Sequence, residues 1–230
     1  MLCIGHRGAM GHEPENTLLS IQKALSLGVD WIEIDVHNVE NNLLVIHDRR
    51  LERTTNGTGK IGDRDFNYLR SLDAGKGQQI PTLQEVFDTV NRQAVINIEL
   101  KGFKTGKLVA DLIKEYVEGG WSYDDFVISS FNHYELKIAR QNCQQIQIGI
   151  LIYGLPLNYV NIARKLQAVA IISALDFVSK KLVKIAHKNN LKVLVYTVNE
   201  PDEIERMQQL DVDGVFTNYP ERIIATKQRQ

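Results

Sequence analysis

Apolar residues recur along this chain in two alternating periods. Short runs with every second residue apolar give way to longer stretches with apolar residues three and four apart, the signatures of strand and helix. Met1–Gly5 is a short apolar strand that breaks at His6-Arg7-Gly8. Pro14-Glu15-Asn16-Thr17 opens a helix, with Asn16 or Thr17 as N-cap, whose apolar face is Leu18, Ile21, Leu25 and Val29; Gly28 ends it. The stretch from Asp30 to Asp48 is then unusual. Two carboxylates, Glu33 and Asp35, alternate with Ile32, Ile34 and Val36. On a strand they share one face while the aliphatic residues pack on the other. A turn at Glu40-Asn41-Asn42 and the run Leu43–Ile46 deliver His47-Asp48.

Residues 49–81 follow neither period. Gly57, Gly59, Gly62, Gly75 and Gly77 scatter through a polar run too long for an ordinary strand-to-helix loop, which predicts a small cap inserted above the sheet. Thr82 with Glu85 then reads as a capping box opening a helix to about Asn91. Beyond it the strand–helix alternation resumes: strands at Val95–Leu100, Phe126–Ser130, Gln147–Leu151, Ala168–Ile172, Lys192–Thr197 and Gly214–Thr217, with helices at Thr105–Glu118, Tyr134–Gln141, Leu157–Lys165, Lys180–Lys188 and Asp202–Gln209, and a last short helix from Pro220. Eight strands, each followed by a helix, in one domain of 230 residues is the arithmetic of a (β/α)8 TIM barrel. A doubly wound open sheet is the alternative that periodicity leaves standing. In both folds ligands bind at the carboxyl ends of the strands.

Composition adds exclusions. An apolar fraction of 43%, a charged fraction of 24% and a net charge of −1 describe an ordinary globule with no basic field for nucleic acid or anionic lipid. No apolar run reaches the ~20 residues of a bilayer span, so no membrane anchor is expected. The start, MLCIGHRGA, carries no signal-peptide pattern, and Cys3 and Cys143 are too few for a disulfide framework, so the expected setting is the cytoplasm with reduced thiols.

The candidate chemistry lies at the ends of the first three strands. His6 and Arg7 follow the first; Glu33, Asp35 and His47 belong to the second unit; Glu99 and Lys101, two apart, share a face of the third. Three carboxylates suit a hard divalent ion. Arg7 and Lys101 suit a phosphate, one as a planar fork and the other as a point charge. Two imidazoles can supply an acid and a base. No G-x-S-x-G or Cys–His arrangement marks a protein nucleophile. Together these parts describe metal-assisted phosphodiester cleavage, in which water or a neighbouring hydroxyl of the substrate attacks. His12, His37, His133 and His187 are read as surface or structural, and Cys3 as a buried apolar residue.

The segments His6-Arg7-Gly8, Pro14-Glu15-Asn16-Thr17, Glu33-x-Asp35, His47-Asp48 and Leu51-Glu52-Arg53-Thr54-Thr55-Asn56-Gly57 stand in an informative order. Ile80-Pro81-Thr82-Leu83-x-Glu85, Glu99-Leu100-Lys101, Ser130-Phe131, Thr197-Val198-Asn199 and Asp213-Gly214 with Thr217-Asn218-x-Pro220 complete it. From Cys3 to Glu221 this pattern resembles the glycerophosphodiester phosphodiesterases. The resemblance implies a TIM barrel with a cap after the second strand, and hydrolysis of glycerophosphodiesters to glycerol 3-phosphate and an alcohol. It implies His6 and His47 as the acid–base pair, Glu33, Asp35 and Glu99 as ligands of Mg²⁺ or Ca²⁺, and Arg7 and Lys101 on the phosphate. Tyr196 stands where the family commonly has Trp. Lysophospholipase D or phospholipase C-like cleavage of lipid diesters, and a non-catalytic phosphodiester-binding barrel, are the competing readings. Release of glycerol 3-phosphate from glycerophosphocholine, with and without chelator, separates them.

Overall fold

The first strand, β1 (Leu2–Gly5), hydrogen-bonds to both the second, β2 (Trp31–Val39), and the last, β9 (Gly214–Thr217), and that pair of contacts closes the sheet. The computed structural model describes residues 1–227. Between β2 and β9 lie β4 (Val95–Leu100), β5 (Phe126–Ser130), β6 (Gln147–Ile152), β7 (Ala170–Ala174) and β8 (Lys192–Tyr196), each parallel to its neighbours. The closed ring of eight parallel strands decides for the barrel over the open sheet. A ninth strand, β3 (Asn42–Val45), lies outside the ring, antiparallel on the end of β2 with Val36 opposite Val45. Glu40 and Asn41, at φ 52° and 66°, make the two-residue turn between them.

Helices cover the outside: α1 (Leu18–Leu27), α3 (Leu83–Val90), α4 (Gly106–Glu118), α5 (His133–Asn142), α6 (Tyr159–Leu166), α7 (Lys180–Lys188), α8 (Pro201–Gln209) and α9 (Pro220–Lys227). Their ends follow local chemistry. Thr17 rather than Asn16 caps α1, accepting from the Ser20 amide, and Thr82 and Glu85 form the reciprocal box on α3. Such caps contribute ~1 kcal/mol each. The strand before α7 starts two residues later than the apolar run suggests. Gln167 takes the left-handed conformation that ends α6, and Ala168 and Val169 bring the chain back to the barrel before β7 begins.

The strand period sorts side chains into two cores. Ile32, Ile34, Ile96, Ile98, Ile128 and Ile150 face outward and pack under the helices with Leu83, Phe87 and Val109. Ile4, Trp31, Val127, Leu151, Ile172, Leu194 and Phe216 fill the barrel axis and make a dry floor beneath the mouth. A Cβ on Gly149 would fall 2.7 Å from the Ile172 side chain, so the glycine makes room for this layer.

The segment 49–81 is the cap, and it has its own apolar cluster of Leu51, Ile61, Leu69, Leu72 and Ile80 with Leu44 from β3 and Ile46 just beyond it. It contains one short helix, α2 (Phe66–Ser71), not foreseen from the sequence. Arg70 pins the cap to the barrel by donating to the Ile80 carbonyl and, at 2.6 Å, to Glu85. Among the described residues no helix is long and apolar enough to cross a membrane.

Candidate active site

Parallel register sets the central cluster. Asp35 on β2 lies opposite Glu99 on β4, and Glu33 opposite Asn97, all at the carboxyl end of the barrel. One oxygen from each of Glu33, Asp35 and Glu99 lies within 4.8 Å of the others. Glu33 and Asp35 are only 3% and 1% exposed. The Arg7 amide donates to Glu33 Oε2 at 2.8 Å, and Asn16 brackets Asp35, donating Nδ2–H to Oδ2 at 2.9 Å and accepting the Asp35 amide at 3.2 Å. Lys101 Nζ donates to Glu99 at 2.8 Å and lies 3.7 Å from Asp35.

Two cations thus face three carboxylates, and the acidities record the imbalance. Burial, then Asp35 and Glu99, push the Glu33 carboxyl well above its usual range. Burial and Asp35 raise Glu99 to about 7 against the pull of Lys101. Burial also pushes Asp35 upward, but Arg7, Lys101 and His47 outweigh it and hold Asp35 below its ordinary value. A buried cluster with surplus negative charge and oxygen-only donors fits a hard divalent cation.

His6 leaves β1 in a tight loop. Gly8, at φ 82°, passes so close to Ser20 that a Cβ would lie 2.2 Å from its hydroxyl, and Ser20 itself donates to the Arg7 carbonyl at 2.7 Å. The loop turns His6 so that Nδ1–H donates to Asn218 Oδ1 at 2.7 Å; the Asn218 amide donates in turn to Asn199 Oδ1 at 2.9 Å. Burial and the neighbouring Arg7 lower the His6 pKa to about 4, leaving a neutral ring with Nε2 available. His47 sits at the far end of the hairpin. Its Nδ1 lies 2.5 Å from Asp48, and its Nε2 lies 3.1 Å from Lys101 Nζ. Asp48 is gripped by Arg53 through Nε at 2.5 Å and Nη2 at 3.0 Å, and Arg53 also forks onto Glu15 at 2.6 and 2.8 Å.

Arg7 has more to do than a phosphate contact requires. It occupies φ 51°, its Nη1 donates to Glu15 at 2.7 Å, and its Nε lies 3.2 Å from Asp35. Of the seven residues singled out in the sequence, Arg7, Glu33, Asp35, His47, Glu99 and Lys101 form one bonded group, and His6 lines the same cavity as Glu33 and Glu99. His37 does not join it through its ring; it is buried and its Nε2 bonds the His47 carbonyl at 3.2 Å. His12 pairs with Glu221, His133 with the Leu151 carbonyl and His187 with Asp213, all apart from the cluster. Cys3 is fully buried.

The sequence assigns no site role to Glu15, Asn16, Asp48, Arg53, Asn199 or Asn218, reading Asn16 only as a candidate helix cap. All fall inside the segments that carry the resemblance, and that position was the available signal. At the wall of the mouth, Tyr196 meets Phe131 edge to face at 6.0 Å and donates its hydroxyl to the Ile152 carbonyl at 3.0 Å.

A (β/α)8 barrel with two imidazoles and an acidic cluster that could hold a cation at its carboxyl mouth defines an enzyme of the TIM-barrel class. Comparison narrows the class: residues 6–222 match the model of the glycerophosphoryl diester phosphodiesterase family, and the chain belongs to that family. A glycerophosphodiester phosphodiesterase of Caldanaerobacter subterraneus subsp. tengcongensis is 34% identical, with 97% of this chain and 96% of the relative covered. One of Bacillus altitudinis is 32% identical over 97% and 96%. Among solved structures, a phosphodiesterase of Oleispira antarctica in complex with its product sn-glycerol-3-phosphate superposes with a TM-score of 0.91 at 28% identity, covering 98% of this chain and 96% of the other.

Proposed function

We propose that this chain hydrolyses glycerophosphodiesters to glycerol 3-phosphate and an alcohol, with His6 and His47 as its acid–base pair and Arg7 and Lys101 on the phosphate. The observation that carries the reading is the buried three-carboxylate cluster, with His47 linked to it through Lys101 and His6 lining the same cavity, in a chain of this family. A Mg²⁺ or Ca²⁺ ion held by Glu33, Asp35 and Glu99 would supply a fixed positive charge that offsets the carboxylates and polarises the diester.

The protein groups then divide the work. Lys101 already spans His47, Glu99 and Asp35, so a phosphate oxygen drawing its ammonium away would release the Nε2 lone pair of His47. The adjacent glycerol hydroxyl loses its proton to one imidazole and its oxygen bonds to phosphorus. The bond to the alcohol breaks, and the other imidazole, which enters the step as the imidazolium, gives its Nε2 proton to the departing oxygen. The same two rings with roles exchanged let water open the cyclic phosphate. An attacker held within the substrate gains from proximity, with effective molarities of ~10⁵ M or more when well oriented. The buried Cys3 and Cys143 and the absence of any disulfide among the described residues accord with a cytoplasmic setting. The test is release of glycerol 3-phosphate from glycerophosphocholine, lost in chelator and restored by Mg²⁺ or Ca²⁺; full activity in excess chelator overturns the metal assignment.

A further inference from the structure

A groove opens beside the candidate site between the ends of β4 and β5 and the segment that follows β3. It contains Glu99 and Lys101 at its inner end, runs outward past Arg49, Phe103 and Phe131, and has a volume of about 340 Å³. The two phenylalanines are 73% and 46% exposed, an unusual outlay of apolar surface beside a polar site. Glu99 is the single carboxylate that lines the groove, and Lys101 holds it at 2.8 Å. Arg49 differs from the arginines that flank it. Arg50 pairs with Glu52 and Arg53 with Glu15 and Asp48, whereas among the described residues no carboxylate pairs with Arg49. The groove is therefore aromatic along its sides and has a surplus of positive charge.

Two other features fix what this groove can hold. Over the barrel axis, a separate cavity is lined by His6, Glu33, Asn97 and Ser129. This inner cavity has a volume of about 30 Å³, too small for a glycerol half, and Asn97 Oδ1, buried without a partner among the described residues, offers an acceptor there to a single hydroxyl. A larger cavity of about 580 Å³ between the first loop and the cap has no comparable surplus: Arg53 is committed to Glu15 and Asp48, Glu13 to Lys76, and Asp73 to the amides of Gly75 and Gly77.

Taking the hydrolytic reading above as its basis, we propose that the groove is the leaving-alcohol subsite, and that Arg49 selects glycerophosphodiesters whose alcohol carries an anionic group over those carrying a quaternary ammonium. An alcohol bound there has its stem on Phe103 and Phe131 and its charged end at Arg49. A phosphate or carboxylate at that end gains a charge-assisted contact. A choline ammonium gains the aromatic faces but meets Arg49 and Lys101 with no counter-carboxylate to spare.

Hydrolysis of glycerophosphoinositol 4-phosphate, glycerophosphoglycerol and glycerophosphocholine is compared in the wild type, Arg49→Gln and Arg49→Glu at two ionic strengths. The wild type favours the anionic alcohol over choline by about fivefold in kcat/KM at low salt, the scale of an exposed ion pair. The difference lies mainly in KM and shrinks as salt is added. Arg49→Gln brings the ratio toward that of the uncharged glycerol substrate, and Arg49→Glu inverts it. Unchanged melting temperatures confirm that both variants are folded. A preference for choline in the wild type, or the same ratio in wild type and Arg49→Glu, overturns the proposal. Absence of turnover on all three diesters is the distinct result that defeats the hydrolytic reading, and this subsite with it.

Discussion

The Nε2 nitrogen of His47 stands 3.1 Å from the Lys101 ammonium, and that contact fixes the tautomer of the ring. An ammonium only donates, so Nε2 accepts, and the ring proton sits on Nδ1 facing Asp48 at 2.5 Å. A carboxylate behind Nδ1 orients the imidazole. Removing that carboxylate while keeping its shape, Asp48→Asn, should lower kcat by about 10²-fold or more, with near-wild-type melting; steady-state kinetics on glycerophosphocholine beside a thermal melt checks both halves.

The acidic cluster predicts opposite effects on the metal-free and metal-loaded protein. Glu33 is already pushed toward its protonated form by burial and by Asp35 and Glu99. Glu33→Gln therefore removes strain from the metal-free protein and should raise its melting temperature, by about 2–4 °C for each kcal/mol relieved. The wild type should gain ~2.7 kcal/mol from a divalent ion at a hundred times its Kd, and the variant should lose most of that gain. A calorimetric melt with and without Mg²⁺ or Ca²⁺ reads both. An equal ion-induced shift in the two proteins would remove Glu33 from the site.

His6 gives the metal-free protein a defined pH dependence. Its pKa falls from 6.5 to about 4 on folding, chiefly through burial and then Arg7. Between those values the unfolded chain takes up a proton that the folded chain refuses, so stability declines as pH drops from 6.5 toward 4 and is unaffected by this residue above 6.5. His6→Gln should flatten that part of the curve. In the wild type, an imidazole C2–H resonance assigned to His6 and titrating near its ordinary value would contradict the burial argument.

Arg53 joins three segments: Asp48 beside His47, Glu15 in the first loop, and its own place in the cap. It is half exposed, so truncation should cost little stability, about 1 kcal/mol or less. Arg53→Ala should nevertheless reduce kcat about tenfold with KM little changed, because Asp48 loses its anchor and His47 its orientation. Arg53→Lys, which can hold one carboxylate but not fork across both, should recover only part. A loss of KM alone would make Arg53 a substrate contact instead.

The route of attack has its own test. A substrate in which the glycerol hydroxyl next to the phosphoester is replaced by hydrogen should bind and not turn over if that hydroxyl attacks. Equal kcat for the two substrates would leave water as the nucleophile.

The barrel was legible because its strands and helices carry unmixed periods. The alternation that puts Ile32, Ile34 and Val36 outside leaves Glu33 and Asp35 no direction but the axis. The convergence of Glu99 with them followed once β4 was placed next to β2. The cap was legible only as an interruption: its apolar residues, such as Leu51, Ile61 and Leu72, have no period, and its fold rests on contacts with β3 that a linear pattern does not encode. For the same reason the clasp of Arg53 on Glu15, 38 positions away, was invisible. The sequence points to Arg7 as a phosphate ligand. Its ties to Glu15 and Asp35 give it a structural share as well.

The hairpin strand β3 lies outside the closed ring, and His47 through Arg53 follow directly from its end. One of the two imidazoles, the carboxylate that aims it, the arginine that anchors that carboxylate and the cation of the outer groove thus fall within a span of seven residues. On the proposed roles this one segment is a portable cassette mounted on a generic frame, and transplanting it between related barrels would move a piece of the catalyst and its taste for substrates together.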